Sequence, residues 1–354
     1  MLAARYHGPE DLRVEKVPRP EIHPDELLLR VKSASICGTD LRIFHGNHRK
    51  YPPSTVRIPG HEVVGEIAEI GAGLQGFKVG QRVFVAPNIG CGYCRQCISG
   101  NNNLCENYEA IGVTLDGGFA EYMRVPAQAI LQGNVMPIQD NIDPAAASLI
   151  EPFACVLRGQ TAIQIHPGDF VLIMGAGPIG IMHAMLARLS GASRIMISEP
   201  IAERLEHVTK IGVDYVVNPA VEDLAEALVK AKKCDGADAI IVAAPSHQAQ
   251  ESALKLAGIR GRINFFGGLP KDNPTIRFDS NLMHYKELVV TATTACSTGD
   301  CLRAAEIINS GRIDLGSLIS HRFPLERTAD AFITAEGRKA LKIVIQSDLF
   351  NKQE

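Results

Sequence analysis

The segment FVLIMGAGPIGIMHAMLA, residues 170–187, constrains the fold of this 354-residue chain more than any other stretch. It runs eighteen residues without a formal charge, yet three glycines and a proline interrupt it. A membrane span needs about 20 largely unbroken apolar residues, so the segment reads as a strand, a tight turn and a helix. The turn is Gly175-Ala176-Gly177-Pro178-Ile179-Gly180, a G-x-G-x-x-G directly after VLIM and directly before a helical stretch. Glycines also make ordinary turns; the flanking strand and helix give these ones their meaning. Gly175 permits the turn, Gly177 lets a pyrophosphate approach the backbone, and Gly180 allows close helix–strand packing. Free N–H groups at the helix start favour the anion.

The pattern then repeats. RIMIS, DYVVN, AIIVAA, RINFFG and ELVVTAT are short apolar runs, and AERLEHVTKIG, EDLAEALVKAKKC and QAQESALKLAG between them have helical spacing. Strands apolar on both faces, alternating with helices, predict a doubly wound parallel sheet, the Rossmann arrangement. Glu199 stands nineteen residues after Gly180, at the end of RIMIS. A carboxylate there can bond both ribose hydroxyls of NAD and repel the 2′-phosphate of NADP; the plain alternative is a solvated turn acid. Arg204, close by, would soften that discrimination or pack on the adenine. NAD is the expected coenzyme.

Before about residue 150 the chain reads differently. ELLLRVKSASI, VVGEIAEIGAG, QRVFVAPNIG and FAEYMRVP are short β-like runs separated by Gly and Pro, without long helical periodicity. They predict an irregular, mostly antiparallel β domain, so the class is α/β with two unlike domains. After about residue 296 come another helix, CLRAAEIINSG, and an apolar strand, KIVIQ, whose docking the pattern leaves open.

Inside the first part lies CGYCRQCISGNNNLC, with Cys91, Cys94, Cys97 and Cys105 in fifteen residues. Four thiolates at this spacing can close around one tetrahedral zinc; disulfides are the alternative. The start, MLAARYHGPEDLRVEK, has no apolar run resembling a signal peptide, so a reduced, cytoplasmic setting and a metal are expected. Such a closed site leaves no coordination position vacant, so it stabilises a lobe and does not catalyse. Cys234, Cys296 and Cys301 match no ligand pattern. Net charge is −3 and no Lys/Arg cluster stands out, which argues against nucleic acid as a partner; a membrane is not expected either.

Three separated segments remain: Cys37-Gly38-Thr39-Asp40, Gly60-His61-Glu62, and Glu151-Pro152. Each has a bland explanation alone: a small buried thiol, a satisfied polar residue, a helix stop. Set beside the dinucleotide turn and the cysteine cluster, they resemble the zinc-dependent medium-chain alcohol and polyol dehydrogenases over essentially the whole chain. The resemblance implies a GroES-like β domain, residues 1–152 and 297–354, with a Rossmann domain, residues 153–296, inserted between its pieces. It also implies a catalytic zinc held by Cys37, His61 and a carboxylate, so two zinc ions per chain. Glu151 occupies the place where alcohol dehydrogenases usually have a second cysteine, and Glu62 is the other candidate.

In such relatives the metal keeps an open position for the substrate hydroxyl, Thr39 relays its proton, and Asp40 orients His61. A histidine often stands three positions after Thr39; here it is Arg42, a poor base, which leaves His45, His48 or solvent for that step. The resemblance further implies a dimer or tetramer and a small substrate, a polyol or polyol phosphate. His45, Arg49, Tyr51, Glu62 and Glu151 are the polar side chains expected to face it, and His48-Arg49-Lys50 would meet a phosphate or form a solvated loop. The absence of arginine from TATTACSTGD counts against a sorbitol-type enzyme. The alternatives are oxidation of L-threonine, and a non-catalytic NAD-binding zinc protein of the same fold.

Overall fold

Leu27–Ser35 is buried at seven of its nine positions, its two serines included, and only its Arg30 is exposed. A strand so buried needs cover on both faces, and it lies at the centre of a seven-stranded sheet. The structure, a computed structural model, describes residues 1–208, 211–232, 236–337 and 340–347. They form two compact units, residues 1–154 with those from 296 onward, and residues 155–295. No described helix is long and apolar enough to cross a membrane, and Cys234 lies outside the described residues.

In the first unit the strand order is Ile319–Pro324, Lys342–Gln346, Leu27–Ser35, Glu62–Ile70, Arg82–Val85 and Val135–Pro137, with Tyr122–Val125 also paired to Leu27–Ser35. All pairs are antiparallel except Ile319–Pro324 with Lys342–Gln346. The segment after residue 296 thus joins this sheet, and its helix Thr328–Glu336 places Phe332 edge-on to Phe119 at 5.8 Å in the core. Leu27, Leu29, Val63, Ile67 and Phe119 are also fully buried there, each side chain contributing about 1.5–3 kcal/mol on burial. The register matters most for chemistry. Ser35 pairs with Glu62 on one side and Val344 on the other, so three strand ends meet at one edge.

The second unit is a six-stranded parallel sheet in the order Tyr215–Val217, Arg194–Ser198, Phe170–Met174, Ala237–Val242, Ala257–Phe265, Val289–Ala292. Phe170–Met174 is buried throughout, as a strand between two parallel neighbours with helices on both faces must be. This is the GroES-like plus Rossmann arrangement.

Two elements differ from the sequence reading. Ser280–Tyr285 is a helix, capped by Asp279 through Asn281 N and Leu282 N, where periodicity was too short to signal one. Glu151-Pro152 opens a helix, Ile150–Ile163, and does not stop one. Proline is tolerated in a first helical turn, where its missing N–H has no intrahelical acceptor.

Candidate active site

Antiparallel register brings the first two segments together. Cys37 lies two residues beyond Ser35, and His61 one residue before Glu62, so both emerge at the same sheet edge. Cys37 caps the short helix Gly38–Phe44, whose Asp40 accepts from Cys37 N at 2.8 Å. Gly60, with φ +101°, reaches a conformation that other residues rarely adopt and turns the chain into His61. Donor atoms of Cys37, His61 and Glu62 lie within 4.8 Å of one another.

Two of these three donors, His61 and Glu62, are buried. His61 Nδ1 is 3.3 Å from Oδ1 of the fully buried Asp40, a charge contact without hydrogen-bond geometry, and neither atom has a hydrogen-bond partner among the described residues. Burial would lower the His61 pKa, but the Asp40 carboxylate and Cys37 thiolate hold it well above its ordinary value. Glu62 Oε2 accepts from Lys342 Nζ at 2.5 Å and from the Ser35 hydroxyl. Its Oε1 is buried and has no hydrogen-bond partner among the described residues. A buried carboxylate oxygen left unpaired is costly, and a divalent cation beside a thiolate and an imidazole would satisfy it. The donor set therefore fits zinc. Burial pushes the Glu62 carboxyl up to about 7, against the opposing pull of Lys342.

Glu151 stands apart from this group of three. Cys296 Sγ donates to its Oε1 at 3.6 Å, while its charge still acts on Glu62 and Lys342. Thr39 Oγ1 accepts from Arg42 Nη2 at 3.1 Å. The two nearby histidines have different settings. His45 is taken up by Glu10 at 3.3 Å and Glu336 at 2.6 Å. Burial and the charges of Arg42, His61 and Arg49 lower His48 to about 4, so it is a neutral imidazole sharing the electrostatics of His61.

The basic run is divided as well. Lys50 donates to Tyr108 O and sits over its ring, whereas Arg49 is exposed. Tyr51 does not face a substrate: it is fully buried in a satellite core, its hydroxyl donating to Arg57 O at 3.0 Å. Lys342 and Ser35 were not foreseen, because a lysine heading an apolar strand gives no local sign of a carboxylate 280 positions away.

Cys91, Cys94, Cys97 and Cys105 converge, their sulfurs within 4.8 Å of one another. Backbone N–H groups already point at sulfur: Cys94 N to Cys91 Sγ and Cys91 N to Cys105 Sγ, both at 3.4 Å. The Tyr93 backbone N–H helps to bring the Cys91 thiol down to about 6. Tyr93 and Ile98 in the same lobe are largely exposed, so little apolar burial holds it, and a metal fits as its staple.

At the dinucleotide turn the three glycines have separate reasons. Gly175 has φ +118°; a Cβ on Gly180 would stand 1.9 Å from Gly175 O; a Cβ on Gly177 would meet nothing within 4 Å. The open space at Gly177 faces the start of the helix Pro178–Leu189, with Pro178 at its first position and Ile179 beside it, so the residues fit a pyrophosphate. Glu199 is buried; its Oε2 accepts from Ala176 N at 2.8 Å and its Oε1 from Ile201 N at 3.1 Å. Arg204 Nη1 lies 3.7 Å from Glu199 Oε2. The carboxylate thus braces the turn itself.

Comparison with known proteins adds to this geometry. The family model described as alcohol dehydrogenase GroES-like domain matches residues 23–137, and that described as zinc-binding dehydrogenase matches residues 178–310. L-threonine 3-dehydrogenase of Pyrococcus horikoshii is 35% identical over 344 residues, covering 96% of this chain and 95% of its own length. Among solved structures, a zinc-binding dehydrogenase of Sinorhizobium meliloti bound to NADP superposes with TM-score 0.90 at 31% identity, covering 98% of both chains. Alcohol dehydrogenase TADH from Thermus sp. ATN1 gives TM-score 0.89 at 28% identity, covering 98% of this chain and 99% of that one.

Proposed function

This chain belongs to the zinc-dependent medium-chain dehydrogenases, and on that premise we propose that it oxidises a secondary alcohol of a polyol or polyol phosphate with NAD. The observation that carries the reading is the donor set of half-buried Cys37 with buried His61 and Glu62, Glu62 Oε1 lacking any partner among the described residues. Cys37, His61 and Glu62 would hold zinc there, and it would supply the Lewis acidity that makes an alcohol proton easier to lose near neutral pH. The dinucleotide, seated at Gly175–Gly180, supplies the hydride acceptor.

The chain's own residues do the rest. Asp40, 3.3 Å from Nδ1, positions the His61 ring by its charge. Lys342 and Ser35 hold Glu62 in place beside Cys37 and His61. Glu151 is the second carboxylate, which accepts a hydrogen bond from a neighbouring polar group of the substrate or exchanges with Glu62 as ligand. Thr39 Oγ1 relays the hydroxyl proton, which passes on to His48 or to solvent in place of Arg42, a poor base. Glu199 bonds the ribose hydroxyls and favours NAD, with Arg204 beside it. Cys91, Cys94, Cys97 and Cys105 hold a second, structural zinc.

A second reading is oxidation of L-threonine at its secondary hydroxyl. Its support is the 35% identity, over nearly the whole chain, to a relative named for that activity. A panel of polyols, polyol phosphates and L-threonine, each assayed with NAD and NADP alongside metal analysis, separates the two. About two zinc ions per chain are expected, with turnover lost on chelation and restored by zinc. Turnover by folded protein stripped of metal would end the catalytic-zinc reading; turnover of L-threonine alone would select the second.

A further inference from the structure

Cys296 and Cys301 take no part in either metal group proposed above, yet their sulfurs lie 3.5 Å apart in the interior of the first unit. Both residues are 1% exposed. We propose that they are a peroxide-sensitive dithiol, oxidised to an intramolecular disulfide that removes a hydrogen-bond donor from Glu151.

Geometry supports the disulfide. An S–S bond is about 2.05 Å, so the two sulfurs, already in contact at 3.5 Å, need to close by about 1.5 Å. Cys301 lies in the first turn of the helix Thr298–Asn309, and Cys296 just before its cap, Ser297. The backbone between them is held firmly. Ser297 and Asp300 form a reciprocal cap, Asn88 Nδ2 donates to Cys296 O at 3.0 Å, and Thr298 N donates to Asn102 Oδ1 at 2.9 Å. The pair is therefore presented on a rigid frame, which lowers the ordering cost of joining it.

The chemistry balances with a hydroperoxide as oxidant. One thiol sulfur bonds to a peroxide oxygen as the O–O bond breaks, giving a sulfenic acid and water. The second sulfur then bonds to the first, the S–O bond breaks, and a second water leaves. Two thiols and one hydrogen peroxide become one disulfide and two waters. Burial favours this small oxidant over a protein disulfide, which cannot reach the sulfurs.

The consequence follows from the hydrogen lost. Cys296 Sγ donates to Glu151 Oε1 at 3.6 Å, and a disulfide sulfur has no hydrogen to donate. A carboxylate released from that bond is positioned less well, and loss of such an outer partner lowers activity about tenfold. The effect on turnover rests on the dehydrogenase reading; the disulfide itself does not.

The test is a mass measurement paired with an assay. Trypsin releases residues 287–303 as one peptide containing Cys296 and Cys301 and no other cysteine. Zinc-loaded protein is treated with hydrogen peroxide, alkylated, and digested without reductant. The expected peptide takes up no alkyl group and is lighter than the dithiol form by about 2 Da, the two hydrogens lost. Activity should fall about tenfold with zinc content unchanged and return with dithiothreitol, and Cys301→Ala should resist the loss. Cys301→Ser serves where the alanine variant does not fold. A peptide that remains a dithiol overturns the proposal. So does a disulfide formed without change in turnover, or equal inactivation of the Cys301 variant. Protein inactive before oxidation would count against the dehydrogenase reading alone, and the peptide mass would still decide the dithiol.

Discussion

Adding one methyl group at either of two glycines separates space kept for packing from space kept for a ligand. Gly180→Ala puts a Cβ 1.9 Å from Gly175 O and 2.9 Å from Gly175 C. A relaxed carbon–oxygen contact is about 3.3 Å, so the turn or the helix start must move by about 1.4 Å. Forcing an extra carbon into a packed site costs about 1–3 kcal/mol, and displacing binding groups by about 1 Å can cost a hundredfold in function. Gly180→Ala should therefore lower both the denaturation midpoint and the affinity for NADH.

Gly177→Ala is the contrast. Gly177 has φ −71° and ψ 177°, which alanine adopts freely, and its Cβ meets nothing within 4 Å. Stability should stay within about 0.5 kcal/mol of the parent. If that space receives the pyrophosphate, affinity should still fall by at least about tenfold, or 1.4 kcal/mol. NADH fluorescence titration and urea unfolding on the same preparations read the two quantities. Wild-type NADH affinity in Gly177→Ala would refute the assignment, as would a stability loss above about 1 kcal/mol.

Other perturbations test the rest of the molecule. Asp40→Asn removes the charge beside His61 Nδ1 and should weaken zinc binding about 10–100-fold in competition with a chromophoric chelator, with circular dichroism unchanged. Lys342→Met leaves the buried Glu62 carboxylate without its cation and should cost about 3–5 kcal/mol in urea unfolding; adding Glu62→Gln should recover most of it. Burial lowers the His183 pKa to about 3, below the usual 6.5, so the unfolded chain binds the extra proton between those values. Stability should fall as pH drops through that range, by about 2 kcal/mol between pH 7 and 5, and His183→Leu should flatten the slope of midpoint against pH.

The sequence determined whatever its chemistry states over a few neighbouring residues. The glycine turn is legible because strand, turn and helix are contiguous, and the four cysteines because their ligand spacing is local. The alternation of apolar runs and helical spacing defines a parallel sheet, since only strands covered on both faces are apolar throughout. Cys37, His61 and Glu151 were legible as a set only through resemblance; no local pattern joins them.

Tertiary structure decided which of these groups meet. The pairing of Ser35 with Glu62 and Val344 brings Cys37, His61 and Lys342 to one sheet edge, and a slip of one residue would turn the side chains to the other face. It also made Glu62, with an oxygen that has no partner among the described residues, the carboxylate beside Cys37 and His61, and set Cys296 against Glu151. It divided His45 from His48 and set Cys296 against Cys301. Hydrogen-bond register, core packing and burial act between residues far apart in the chain. Side-chain identity says what a group can do; only the fold says what stands within reach of it.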